Sequence, residues 1–346
     1  MDFVEVGSFD VLHRHLAWPW VAIDASRRRF AFASPDGRIT TRVLAEGQLA
    51  EGPSFPLPTD LGLPTARAPA VGHRGAEAGV HGFSIDAEGT LLAVTGTLEA
   101  TSVVLTIDVE GERIRSRLDA LTGGDFTAHA IAFDRSGTRL WISAESADET
   151  ALLLIDARSH ALLGVVRSAP FPPPSLHELH VHPQDDAVLL LAVCGQDGTF
   201  ARVAGWSDGP PVAVPTALDG GSVASGFAGF SADGARVHLV EADELRTHAW
   251  PGLEELSSVE LADDFISSYS GVALGDRILI DGEDSETGDE DAVMVFDRAA
   301  IRGFLVKPPV PAGMWVGRLG VDAIVTVASK GDPARGCVTR IPAPAN

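Results

Sequence analysis

Apolar and polar residues alternate along much of this chain in short runs, and the runs come in pairs joined by polar turns. A period of two is the mark of a half-buried strand, so each pair predicts a strand, a hairpin and a second strand. Three pairs superpose without gaps: VHGFSIDAEGTLLAV (80–94), AHAIAFDRSGTRLWI (128–142) and LHELHVHPQDDAVLLL (176–191). Each carries a histidine near its start, and His81, His129 and His177 lie 48 residues apart. One step further, SGFAGFSADGARVHLV (225–240) repeats the pattern with Ser225 in the histidine position. The turns AEG, RSG and ADG supply the glycine that a positive φ demands.

A third strand follows in each unit, as in SVVLTIDVEG (102–111) and ALLLIDARSH (151–160), and then a more variable fourth, as in LLGVVRSA (162–169). Units of this length with four short strands predict the blades of a propeller. Weaker copies at 19–44, 267–283 and 314–329 bring the number of units to seven. The opening strand DFVEVGSF (2–9) has no unit of its own, and the last unit runs out near CVTRIPAP (337–344). The expectation is therefore an all-β, seven-bladed β-propeller of four-stranded antiparallel blades, closed by the N-terminal strand. It occupies 1–346 as one domain, with a Pro-rich loop insertion at 45–79 between the first and second blades. Phe83, Ile85, Ile131 and Phe133 fall on the inner strands and are read as core.

The chain has 346 residues, 45% of them hydrophobic, which is enough for a sizeable core and excludes a wholly disordered protein. Its 48 acidic against 26 basic residues leave a net charge of −22. That balance disfavours nucleic acid and anionic membranes and favours a basic protein partner. Two distant cysteines, Cys194 and Cys337, suggest no disulfide framework and fit a reducing cytoplasm. No apolar h-region stands at the start and no window is long enough to span a bilayer, so a cytoplasmic location is expected.

The apolar strand, the D-x-x-G turn and the strand ends Ile107-Asp108, Ile155-Asp156-Ala157 and Phe296-Asp297-Arg298 together resemble the WD40-like and YVTN-like seven-bladed propellers. The resemblance is architectural. The Trp-Asp dipeptide that closes a typical WD40 blade is absent, and Ile-Asp or Phe-Asp stands in its place. It implies a binding or scaffold protein that offers one face or the channel mouth to a protein partner or small ligand. The alternative is a propeller enzyme, a hydrolase or lyase acting on a small metabolite such as a lactone.

Candidate chemistry gathers where the chain enters each inner strand. Carrying the histidine register around the ring adds Trp18, Tyr269 and Trp315, with Glu178 beside His177. These seven residues form the candidate ligand-binding rim. The three imidazoles have three readings: inter-blade hydrogen bonds, a ligand mouth, or a metal site. Residues 178, 180 and 182 share a strand face that excludes 177, which argues against three histidine ligands from one strand. The acidic stretch DGEDSETGDED (281–291) lacks the spacing of a calcium loop and reads as a solvated hairpin. No nucleophile elbow, phosphate loop or zinc-protease helix occurs, so no catalytic residue, metal or cofactor is assigned.

Overall fold

In a computed structural model of the chain, residues 3–12, 21–56, 79–98, 101–173, 175–218, 225–275, 277–286, 289–297, 302–306, 313–331 and 333–341 are described. They form seven antiparallel sheets of four strands each. Six blades are simple meanders of four consecutive strands. The seventh takes its outer strand from the other end of the chain: Val4–Val11 pairs antiparallel with Ala334–Arg340, from Val4 opposite Arg340 to Val11 opposite Ala334. The seven-bladed wheel and its closure by the N-terminal strand are as the repeat predicts.

The innermost strands are Val21–Ile23, Gly79–Ile85, Thr127–Phe133, Leu176–Val181, Gly226–Phe230, Phe265–Leu274 and Gly313–Leu319. All seven contribute to the walls of one central cavity. In an antiparallel meander the connections alternate between the two ends of the blade. The links into the innermost strands and those between second and third strands therefore share one face of the wheel, here called the entry face. Links from first to second strand lie on the opposite, exit face.

The exit-face turns show why the D-x-x-G pattern recurs. The buried Asp86 carboxylate accepts the N–H groups of Thr90 (2.7 Å) and Leu91 (2.9 Å), and Asp134 accepts those of Thr138 and Arg139 at 3.1 Å. Each carboxylate thus satisfies backbone donors that a tight hairpin would otherwise orphan. Gly89 and Gly137 follow at φ +68° and +70°, where a side chain would be strained.

The core is divided among the junctions between blades. Trp141 of the third blade, with only 1% of its surface exposed, packs with Leu152, Phe171, Val188 and Leu190 across the junction to the fourth. Phe83, Ile85, Ile131 and Phe133 are buried as expected. The one described α-helix, Leu118–Thr122, is a single turn on the link into the third blade that buries Leu118. No helix among the described residues is long and apolar enough to cross a membrane. Cys194 and Cys337 are buried free thiols.

Part of the predicted 45–79 insertion is regular structure: Gln48–Pro56 is the outer strand of the first blade. Residues 57–78 lie outside the described residues.

Candidate functional site

The histidine register is a set of blade-to-blade contacts. His81 Nδ1 donates to the carbonyl of Ala128 in the next blade at 2.8 Å, and its Nε2 accepts from the Thr97 hydroxyl of its own blade at 2.9 Å. His177 Nδ1 pairs with Ser143 Oγ of the preceding blade. Its ring lies 4.4 Å from that of His129, tilted by 31°. Between these two rings stands Glu145, whose Oε2 is 3.7 Å from both His129 Nε2 and His177 Nε2. Glu145 is fixed in turn by the N–H of Phe171 (3.2 Å) and the hydroxyl of Ser175 (2.8 Å).

A second periodicity emerges here. At three of the four register positions the side chain sixteen residues on meets it across the first two strands of the blade: Thr97 meets His81, Glu145 faces His129, and Glu241 accepts from Ser225 Oγ at 3.2 Å, whereas the place after His177 is taken by Val193. In those three blades the register position is thus one half of a polar pair joining the first strand to the second. A hydroxyl at the start of the third strand adds another link. Ser102 Oγ accepts the N–H of Ala128 (3.3 Å), and buried Thr199 accepts that of Ser225 (2.7 Å) while donating to its carbonyl (3.1 Å). Replacing Thr199 with Val should lower the unfolding free energy by about 1–3 kcal/mol, because two buried backbone groups lose their partner. The check is a shift in urea midpoint at unchanged slope.

Burial sets the protonation of these imidazoles. Desolvation, assisted by the charge His81 would carry, pushes His129 down to about 4. His177 is held well below the ordinary value by burial first and by His129 second. Both are neutral at pH 7, and a base of pKa about 4 is a poor match for proton abstraction there. Among the described residues no group of three His, Cys, Asp or Glu side chains could hold a metal ion.

The central cavity has a volume of about 300 Å³. Glu178 and Tyr269 are among its wall residues, whereas His81, His129 and His177 stand at the blade junctions instead. Glu178 Oε2 accepts from His180 Nε2 at 3.0 Å, and the His180 ring stacks on Phe227 with centroids 3.7 Å apart. Glu178 Oε1 is buried without a hydrogen-bond partner. Tyr269 sits in a bulge between Ser267 and Ser270, at φ +58°, and 39% of its surface is exposed. The bulge leans on the fifth blade where a Cβ on Gly226 would stand 1.7 Å from the Tyr269 carbonyl oxygen. Only glycine at 226 admits it. Trp18 lies outside the described residues. Trp315 is placed only by its backbone, in the strand Gly313–Leu319.

The residues that sequence reasoning missed are Glu145, His180 and two arginines of the cavity wall, Arg27 and Arg318. The sixteen-residue spacing could have revealed Glu145; nothing in the repeat marks the arginines.

No protein-family description matches the chain, and no curated protein is similar to it in sequence. Solved structures are similar in shape. The β-propeller domain of Myceliophteria thermophila Cps50 (Swd1) superposes with a TM-score of 0.57 at 10% identity, covering 96% of this chain and 99% of that one. The likeness extends to 1033 solved chains, so the architecture by itself selects no function. By its fold, this chain resembles the WD40-like seven-bladed propellers.

Proposed function

We propose that the protein is a binding propeller whose entry face takes a basic segment of a protein partner, with Tyr269 as the apolar anchor at the channel mouth. Tyr269 carries the reading. A bulky residue held in the left-handed region costs about 1–3 kcal/mol, and such strain gathers at functional positions. Here the strain presents an exposed aromatic ring beside the axis, and aromatic rings are frequent interface anchors.

The surroundings define the partner. Ile266, 52% exposed, and Leu176 add apolar surface at the starts of their inner strands. Asp148, Asp197, Asp243, Asp263, Glu283 and Glu286 are exposed on entry-face connections and on the strand end that leads into one of them. Arg117 and Arg167 on the same face are bridged to Asp119 and Glu149. A lysine or arginine side chain entering the mouth would find the unpartnered Glu178 Oε1. This is the charge pattern that steers and orients a basic peptide. The enzyme alternative is weakened by the burial that holds His129 and His177 neutral at pH 7.

The test is a peptide array in which apolar-plus-basic sequences are compared with their acidic counterparts. Basic peptides should bind in a salt-dependent manner, and Tyr269→Ala should weaken them by roughly tenfold or more, the effect of an interface hot spot. Equal retention of acidic and basic peptides, or indifference to Tyr269→Ala, would refute the proposal.

A further inference from the structure

At the exit end of the same cavity the electrostatics reverse. Arg27 lies in the first turn of the first blade, and Arg318 lies near the end of the innermost strand of the seventh. The two elements are locked together, since the N–H of Gly320 donates to the carbonyl of Arg27. Both side chains belong to the cavity wall. Among the described residues neither guanidinium has a carboxylate within ion-pair distance, and Arg318 Nε is buried with no hydrogen-bond partner. Asp24, the nearby acid, is already committed: its oxygens accept from the Ser26 hydroxyl and the Arg29 N–H.

Two like charges in one desolvated pocket are costly, and buried charges are normally paired. The cost is visible in Arg27, which burial and the Arg318 charge push down to about 10. A protein with 22 surplus negative charges has no shortage of carboxylates with which to neutralise a structural arginine pair. Here they are left open. Guanidinium groups are suited to this arrangement because each presents a planar fork of donors that matches an oxyanion.

We propose that the exit end of the channel is a binding site for a small organic oxyanion, a carboxylate or phosphate, gripped by Arg27 and Arg318. The rest of the cavity describes the body of the ligand. Beside the arginines the wall carries Ile23, Phe83, Phe133, Val181 and Val272. A volume of about 300 Å³ lies at the lower end of small-molecule pockets and suits a compact apolar or aromatic group. The ligand is then an anionic head on a small hydrophobic body. It enters from the exit side, opposite the face that takes the peptide.

Calorimetric titration at low salt, in a buffer free of competing oxyanions, tests this with benzoate, phenyl phosphate, inorganic phosphate and the neutral control benzyl alcohol. One or both aromatic anions should bind with one-to-one stoichiometry, at least about tenfold more tightly than benzyl alcohol or inorganic phosphate. The preferred anion identifies the head group. Arg27→Gln and Arg318→Gln should each weaken that binding by about tenfold or more, as expected for loss of a charged partner. Without ligand, both variants should melt at or above the wild-type temperature, since each removes an uncompensated charge. Three results would overturn the proposal: no saturable binding of either aromatic anion up to about 10 mM, unchanged affinity in both variants, or a lower melting temperature in both, which would make the arginines structural.

Discussion

Lowering the pH from 7.5 to 5 should cost this protein several kcal/mol of unfolding free energy, well before its carboxylates begin to titrate in bulk. The cause is the set of imidazoles held neutral by burial: His129, His177, His160, His182 and His248 all have depressed pKa values, and desolvation is the first cause in each. In the unfolded chain each would titrate near 6.5. Below that pH the unfolded state takes up protons that the folded state refuses, so stability falls as the medium is acidified. For His129, pushed down to about 4, the decline runs from pH 6.5 to about 4. At pH 5 that residue alone accounts for about 2 kcal/mol.

Two opposing influences are weaker in this window. Burial raises the pKa of Asp24 and Glu241, which favours the fold in acid, but these are two carboxyl groups against five imidazoles. Relief of repulsion among the 48 acidic residues comes mainly below pH 5. Urea melts at pH 7.5, 6 and 5 should therefore show a falling midpoint at constant slope. His129→Gln, which cannot titrate, should flatten the dependence by about one proton's worth. A midpoint that stays constant across this range would contradict the burial of the register histidines.

The second large effect concerns the seam. Phe9, on the strand Val4–Val11, is 7% exposed and packs against Phe30 and Phe32 of the first blade, with ring centroids 4.9 and 4.5 Å away. Gly336 on the neighbouring strand makes room for it, since a Cβ there would lie 2.3 Å from the ring. Phe9→Ala should cost about 3–5 kcal/mol, the usual loss for a buried aromatic. Removing residues 1–11 altogether should be more severe. It strips the pairing along Ala334–Arg340 and leaves an open sheet edge, which invites aggregation. Adding a synthetic peptide of residues 1–12 should restore a monodisperse protein, as a strand that completes a sheet from outside. Size-exclusion chromatography reads both outcomes, and a truncated chain that stays monomeric and equally stable would show that the strand is dispensable.

The blades were legible because their physics is local and repeated. Alternation gives the strands, and the D-x-x-G turn has an unambiguous job, seen at Asp86 and Asp134. The closing strand was legible by subtraction, as a strand without a unit. The site was only partly so. His129 and His177 do approach each other, but what they meet is Glu145 and Ser143, on strands whose inward face one register cannot reveal. Tyr269 was found by its register, whereas its bulge depends on the gap that Gly226 leaves in another blade. Arg27 and Arg318 were invisible because they belong to no shared position: one lies in a turn and the other near the end of the first strand of a weak copy. Only the closing of the ring brings them together.

The seam also sets an order of events. Glu5 and Arg335, which bridge across it at 2.9 Å, are 330 residues apart in the chain. Because so distant a contact must wait for the 330 residues of chain between its partners, the strand Val4–Val11 is among the last to find its place. During synthesis the growing arc has two raw ends, and a chaperone that shields residues 4–11 until Ala334–Arg340 emerges would govern the yield of finished rings more than any stability of the separate blades.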